Sequence, residues 1–556
     1  MDFKRALKEI TAILKTKHTN NNTSMLNNIY FVISFTALVF LPDIVFKIFF
    51  ALPIHIEITF LAGTIGFGFL LSFTNGLVYG IFMAVIFAMQ AVQLNYMAFF
   101  GEAIAPENIL NIVREARDVF DPAYLKQTWF VLPLLAGVFW VNIRLFSRLK
   151  MFKIKWIWIL LFYLAAHKPY RAYTGSKGIW YFQPSISRPS LKNSISTFSY
   201  FFFQYWPKGY ENVSLTYAPY EIKTHPSDAQ NILLIWGESL YARHMPMFGY
   251  DRNTFPHMTQ RLKTEQNWQY AMSVSNGIAT ATSTLLFFNT VREPANAAEI
   301  KKHTANLFRI AKQHGFSTYY YSNQESRLTM GLSGKDIDDS ETNDSKKIFF
   351  TQHKDEGLEI LLKSIDFSHG KNFIVLHMRS PHLPYENRYK GREAEFEKFL
   401  PTKTSDRYTY TVNTYDNALL YTDFVVDKII NTFDSKTAGK KNIVYFAADH
   451  GQLFNYNGYW GHNKLVLEQG LTPFFVRGAS IKKLPKTISH YEIGKIILNG
   501  LGAELVNPNE QARQYYLHGN NIDYPYDYIK YSITDDGNTL QLSTGNTGTD
   551  ALNNKD

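Results

Sequence analysis

The chain has no cysteine among its 556 residues. Disulfides, thiolate-ligated zinc and a cysteine nucleophile are therefore all excluded. Polar residues are the minority over one long stretch, from residue 28 to about 168, where Phe, Leu, Ile, Val, Ala and Trp dominate. Neither half carries a compact Lys/Arg stripe interleaved with aromatics, which argues against nucleic acid as a partner. No small-residue cleavage site follows the first apolar run, so the basic start (Lys4, Arg5, Lys8, Lys15 and Lys17) reads as an uncleaved N-terminus rather than a signal peptide. What is present instead is a net charge of +10, which suits work beside anionic lipid surfaces.

The apolar region breaks into five runs, at 28–50, 56–75, 77–99, 128–146 and 156–169. Each is near the length a bilayer demands, which predicts an α-helical transmembrane domain of five helices over 1–170. The first run carries Pro42, Asp43 and Lys47 in its second half; the last has Trp156, Trp158 and Tyr163 as interfacial anchors. The N-terminus and the link bearing Arg144, Arg148, Lys150, Lys153 and Lys155 lie on one side of a five-span bundle. The positive-inside rule makes that side cytoplasmic, so everything after about 170 lies outside the inner membrane of a bacterium. Residues 101–127 are too polar to cross, and Ile109, Ile112 and Val113 at helical spacing predict an amphipathic helix on the outer face. Residues 171–225, rich in Tyr, Phe, Ser and Pro with little periodicity, read as a membrane-surface bridge.

From Asn231 strands alternate with helices: Ile232–Trp236, Thr318–Tyr321, Phe373–His377, Ile443–Ala447 and Pro473–Val476, with helical stretches near 298–314, 355–365 and 411–432. Such alternation predicts an α/β domain over 226–535 with a mostly parallel central sheet. The tail 536–556, rich in Asn, Gly, Thr and Asp, reads as disordered.

The strand 443–447 ends on Asp449-His450, with Gly451 letting the chain turn. A carboxylate and an imidazole then sit at the carboxyl end of a strand, where open α/β sheets bind ligands, and both are good ligands for zinc. The strand 232–236 ends Gly237-Glu238, adding a second carboxylate at that edge. Groups of this kind converging at one edge need a cation to be tolerable. The polar loop Ser275–Thr284 offers a hydroxyl at a helix start, where free backbone N–H groups cradle an anion such as phosphate. Zinc ligation lowers the proton affinity of such a hydroxyl.

Four motifs in this order carry a family resemblance: Trp236-Gly-Glu-Ser239, Arg243–Pro256, Asn276-Gly-Ile-Ala-Thr-Ala281 and Ala448-Asp-His-Gly451. With them the chain resembles, over nearly its whole length, the membrane-bound phosphoethanolamine transferases that decorate lipopolysaccharide and lipooligosaccharide, members of the alkaline phosphatase/sulfatase superfamily. The resemblance implies Thr280 as nucleophile and a zinc ion held by Glu238, Thr280, Asp449 and His450, with a second zinc during turnover. It also implies His382 and His462 near the phosphoryl group, as donors or ligands of that second zinc. Asp416, Asn417 and Asp423 fall in a further signature and read as structural. The departures are Gln452 in place of Glu, Ile278, Leu285 and Leu286 in the nucleophile loop, and Ser322–Ser326, which only approximates the family's Asn-Asn-Ser. None of them removes a ligand, and they bear on the acceptor.

The implied reaction is ping-pong: phosphatidylethanolamine gives phosphoethanolamine to Thr280, diacylglycerol leaves, and a lipopolysaccharide or lipooligosaccharide acceptor (lipid A or core sugar) takes the group. Asn111 and Glu115 are candidates to meet the donor's head group. The expected partners are the bilayer, the donor and the acceptor, with the protein a monomer. The alternatives are a phosphoglycerol transferase acting on glucan or teichoic-type acceptors, and a catalytically inactive membrane scaffold. A sulfatase is disfavoured because no Cys/Ser-x-Pro-x-Arg site is present.

Overall fold

The computed structural model describes residues 21–544, apart from 51, 53, 101–102, 107–108, 110–128, 150–152, 155, 175–180, 183, 186, 206–215, 266, 325–330, 401–405, 463, 479–482 and 521–526. The chain divides into two compact units, Met1–Gly209 and Tyr210–Asp556.

In the first unit the five apolar runs form helices α1 (Asn21–Phe49), α2 (Ile58–Leu71), α3 (Gly76–Phe100), α4 (Val131–Ser147) and α5 (Ile157–Ala165). Among the described residues, Asn28–Phe49 and Gly76–Ala98 are long and apolar enough to span a bilayer; Ile58–Leu71 and Val131–Ser147 are shorter apolar helices. The helices pack through aromatic side chains, with Tyr79 stacked on Phe146 at 3.9 Å between ring centroids. Their outer faces are apolar too: Ile48, Ile58, Leu77, Phe162 and Tyr163 are all exposed.

The polar residues of the first run have a use that sequence did not reveal. Asp43 and Lys47 are buried, and they hold the start of a helix, α7 (Ser190–Tyr200), which follows the short α6 (His167–Tyr173). The Ser190 backbone N–H donates to Asp43 Oδ1 at 2.8 Å and the Ser190 hydroxyl to Asp43 Oδ2 at 2.7 Å. Lys47 Nζ donates to the Ser187 and Arg188 carbonyls at 2.9 and 2.7 Å. The stretch 171–225 reads as irregular, yet it contains this helix. Its buried face is hydroxylic rather than apolar, because Ser194 and Thr197 donate to the Met89 and Ile104 carbonyls, so no hydrophobic period marks it. Asn111, Glu115 and most of the expected amphipathic helix lie outside the described residues.

The second unit has fifteen described strands: β1 (Glu221–Thr224), β2 (Asn231–Gly237), β3 (Trp268–Val274), β4 (Phe316–Ser322), β5 (Asp339–Glu341), β6 (Lys371–His377), β7 (Asn442–Ala448), β8 (Leu453–Tyr456), β9 (Tyr459–Gly461), β10 (Leu471–Arg477), β11 (Thr487–Ser489), β12 (Ala503–Val506), β13 (Gln514–His518), β14 (Tyr528–Ile533) and β15 (Thr539–Thr544). Eight form one sheet in the order β11-β3-β10-β7-β2-β6-β4-β5. From β7 to β5 every neighbour is parallel, while β10 runs antiparallel to both β7 and β3. β2 and β7 are buried along almost their whole length, as β-branched strands covered on both faces must be. Pro473 is tolerated inside β10 because β7 pairs only with Phe474–Arg477.

Three helices matter for the site: α8 (Pro256–Thr264), α9 (Thr280–Phe288) and the 30-residue α10 (Arg407–Lys436). Asp423 on α10 accepts from the backbone N–H groups of His257 and Met258, capping α8. Asp416 accepts from Tyr250 and Arg252 and faces His244 Nδ1 at 2.8 Å. The composition of 536–556 implies disorder, but Thr539–Thr544 forms β15 beside β14, in a three-stranded sheet with β13. Alternation of Leu540 and Leu542 with polar residues is enough for an edge strand; residues 545–556 are outside those described.

Candidate active site

Register brings the acidic groups together. Gly237 at the end of β2 pairs with Ala448 at the end of β7, so Glu238 and Asp449 leave the sheet side by side at its carboxyl edge. Glu238, Asp449 and His450 are fully buried, and their ligand atoms form one cluster. His450 Nε2 lies 3.4 Å from Asp449 Oδ2 and 3.6 Å from Glu238 Oε1. The Thr280 hydroxyl completes the group, donating to Glu238 Oε2 at 3.0 Å and lying 3.4 Å from His450 Nε2.

Backbone geometry fixes these positions. Ser239 takes a left-handed conformation, φ 51, which is costly for a side chain with a Cβ. There its N–H donates to Asp449 Oδ1 at 2.8 Å and its hydroxyl to Glu238 Oε1 at 2.6 Å. The His450 N–H also donates to Asp449 Oδ1, at 2.7 Å. Gly451 is needed for space: a Cβ there would meet the Leu471 carbonyl oxygen at 2.8 Å, and the residue is not among the glycines with positive φ. Gly277 is similar, since a Cβ would meet the Ser283 backbone nitrogen at 2.8 Å. The loop before Thr280 therefore lies against the start of α9, where the first N–H groups have no intrahelical acceptor. From the far side His518 clamps the loop, its N–H and Nδ1 reaching the Asn276 carbonyl at 2.8 and 2.7 Å.

Burial bears on the charge of both carboxyls. Burial, and then the neighbouring Asp449 charge, push the Glu238 carboxyl above its ordinary range. Burial pushes Asp449 up to about 6 despite hydrogen bonds that favour its ionised form. Four donors about 2 Å from a tetrahedral zinc stand roughly 3.3 Å from one another. Three separations among Thr280 Oγ1, Glu238 Oε2, His450 Nε2 and Asp449 Oδ2, at 3.0, 3.4 and 3.4 Å, are compatible with that spacing. Two carboxylates, an imidazole and a hydroxyl are also a donor set that a divalent ion accepts.

The sequence-predicted histidines are close by. His382 and His462, both largely buried, have ring centroids 5.8 Å apart, and His462 lies 4.8 Å from the His450 ring. His462 follows the β8–β9 hairpin, and His382 follows β6. Two neighbours were not anticipated from sequence. Gln324 Nε2 donates to Glu238 Oε2 at 2.7 Å and to the Met378 carbonyl at 3.2 Å; only its place in the Ser322–Ser326 segment hinted at a role. His518 comes from the C-terminal sheet and had no signal at all. Gln452, by contrast, turns to the Tyr385 hydroxyl.

A mostly parallel sheet thus carries, at its carboxyl edge, a hydroxyl at a helix start beside a buried carboxylate–imidazole cluster. Residues 230–499 match the sulfatase family model. Among curated proteins it is similar to the Kdo(2)-lipid A phosphoethanolamine 7''-transferase of Escherichia coli K12, 29% identical over 239 residues, covering 41% of this chain and 40% of that protein. It is also similar to phosphoethanolamine transferase EptA of Escherichia coli O157:H7, 28% identical over 268 residues, covering 46% and 45%. The chain thus spans less than half the length of these curated relatives. In fold it is similar to the integral membrane protein lipooligosaccharide phosphoethanolamine transferase A (EptA) from Neisseria meningitidis, with a TM-score of 0.52 and 19% identity over 87% of this chain and 96% of that one.

Proposed function

We propose that this protein transfers phosphoethanolamine from phosphatidylethanolamine to a lipopolysaccharide or lipooligosaccharide acceptor, lipid A or a core sugar, through a phospho-threonine intermediate on Thr280. The observation that carries the reading is the Thr280 hydroxyl at the start of α9, 3.0 Å from Glu238 in a cluster with Asp449 and His450. The names of the curated relatives support the same reaction. Zinc held by Glu238, Asp449, His450 and the Thr280 oxygen would supply the positive charge that makes this hydroxyl acidic at neutral pH.

Thr280 Oγ1, its proton already lost to solvent, attacks the phosphorus of the donor as the alkoxide, and the bond from phosphorus to the diacylglycerol oxygen breaks. His382 or His462 delivers the proton that leaves with diacylglycerol. The unpaired N–H groups of the first turn of α9 receive the phosphoryl oxygens. In the second half the acceptor oxygen attacks the same phosphorus, gives up its proton to the same histidine pair, and frees Thr280.

The N-terminal helices supply the setting. They form five spans over residues 1–170, with the N-terminus and the 144–155 link cytoplasmic and the sulfatase-like domain periplasmic, at a bacterial inner membrane. The 171–225 stretch connects these helices to the sulfatase-like domain. Apolar side chains on both the inner and outer faces of α1–α5 support this, since a helix hydrophobic all round needs an apolar surround. The donor's acyl chains then never leave the bilayer, and Asn111 and Glu115 meet its head group. The protein acts as a monomer.

Labelled phosphatidylethanolamine and phosphatidylglycerol, offered separately to the full-length protein with lipooligosaccharide, test the reading. Label should pass to the acceptor from the ethanolamine lipid only, and not at all in Thr280→Ala. Transfer from phosphatidylglycerol alone would replace this function with phosphoglycerol transfer.

A further inference from the structure

In the N-terminal unit α1, α2, α3, α5, α6 and α7 surround a cavity of about 1110 Å³. Its wall is almost wholly apolar, with Phe35, Phe67, Met89 and Phe198 among the lining side chains. Gly63 and Gly66 of α2 also line it, and a Cβ on either would meet nothing within 4 Å. A space this large and dry suits hydrocarbon rather than water.

One part of the lining is cationic: Lys168 of α6 and Lys192 of α7. Lys192 and Arg188 share a single carboxylate, Glu57. Lys168 has no carboxylate within 4 Å among the described residues. Among the described residues its Nζ reaches the Ser196 hydroxyl at 3.3 Å and the Tyr181 carbonyl at 3.4 Å, and lies over the Tyr181 ring at 3.8 Å and the Phe182 ring at 5.3 Å. Arg171 faces the same ring at 5.7 Å. Four cations around one doubly engaged carboxylate leave an excess of positive charge beside a hydrocarbon-lined space.

We propose that this cavity holds a resident anionic diacyl phospholipid, its acyl chains against α2 and α3 and its phosphodiester at Lys168. The phosphate compensates a half-buried cation that has no carboxylate within 4 Å among the described residues, and phosphate on ammonium is a strong, charge-assisted contact. The ethanolamine-bearing donor is the poorer occupant, because its own ammonium would enter the cation cluster while Glu57 is already engaged by Arg188 and Lys192. The site is thus separate from the one that delivers the donor to Thr280. The inference rests on reading α1–α5 as membrane-spanning.

Full-length protein in mild detergent, incubated with equal amounts of phosphatidylglycerol and phosphatidylethanolamine of matched chains, tests it by native mass spectrometry. Wild-type protein should retain phosphatidylglycerol in preference. Lys168→Ala should cut that retention about fivefold, the effect of one cation at a lipid surface, and leave phosphatidylethanolamine unchanged. Gly63→Leu and Gly66→Leu, which grow side chains into the cavity, should lower retention of both lipids. Equal retention of the two lipids by wild type, or no response to Lys168→Ala, overturns the proposal and leaves the membrane reading intact. Retention of no lipid at all overturns both.

Discussion

Replacing Gln324 by methionine isolates the part played by one hydrogen bond behind the candidate metal ligands. The side chain is buried, and its amide donates to Glu238 Oε2 at 2.7 Å. Methionine fills a similar volume but cannot donate. The oxygen that Gln324 holds is the same one that accepts from Thr280, so losing the contact frees Glu238 to rotate away from the nucleophile. A hydrogen bond to a charged group contributes about 1.5–3 kcal/mol. Partners that orient metal ligands typically change metal affinity about 10- to 100-fold when removed. Chelator competition on full-length protein should therefore show zinc affinity about 10- to 100-fold weaker in Gln324→Met, with transfer recovered by excess zinc and an unchanged circular dichroism spectrum. An affinity within about twofold of wild type would refute the reasoning, since an orienting contact cannot be that idle.

Asp449→Asn removes a ligand itself and should leave the protein without stoichiometric zinc by elemental analysis; full occupancy would reassign the site. Zinc affinity should fall as pH drops through about 6, because Asp449 in the metal-free site is pushed up to about 6 and must shed its proton to bind. The same shift acts on folding with the opposite preference. Since Asp449 is raised from its ordinary 3.8, the metal-free protein should lose stability as pH rises from about 4 to 6, and zinc should reverse the trend in thermal melts. In the N-terminal unit Asp43→Ala leaves Lys47 buried and the start of α7 without its cap, so melting in detergent should show a loss of several kcal/mol; an unchanged midpoint would contradict that role.

What the sequence conveyed best was whatever is repeated or run together. Strands β2 and β7 are continuous apolar runs, and their common edge puts Glu238 beside Asp449 as expected. The helix start at Thr280 was legible because a hydroxyl-rich segment follows Asn276-Gly277 and α9 begins there. Strand β3 went unread because its polar and exposed positions break up the apolar signal. Helix α7 was invisible for a different reason: its buried residues are serines and threonines matched to carbonyls, a pairing made only in three dimensions. Gln324 and His518 belong to the same kind. Each touches the site from a segment distant in sequence, and no spacing rule connects residue 518 with 276. Gly451 was expected to serve a turn, whereas its place is set by the Leu471 carbonyl pressing on it.

The central claim is that Thr280 carries the group between donor and acceptor. Wild-type protein incubated with phosphatidylethanolamine and no acceptor should accumulate a phosphoethanolamine adduct, and peptide mass spectrometry should map it to Thr280. The adduct should vanish in Thr280→Ala and persist at a lower level in Thr280→Ser, where the hydroxyl survives. An adduct on Thr282 or Ser283 instead, or undiminished transfer by Thr280→Ala, would contradict the account.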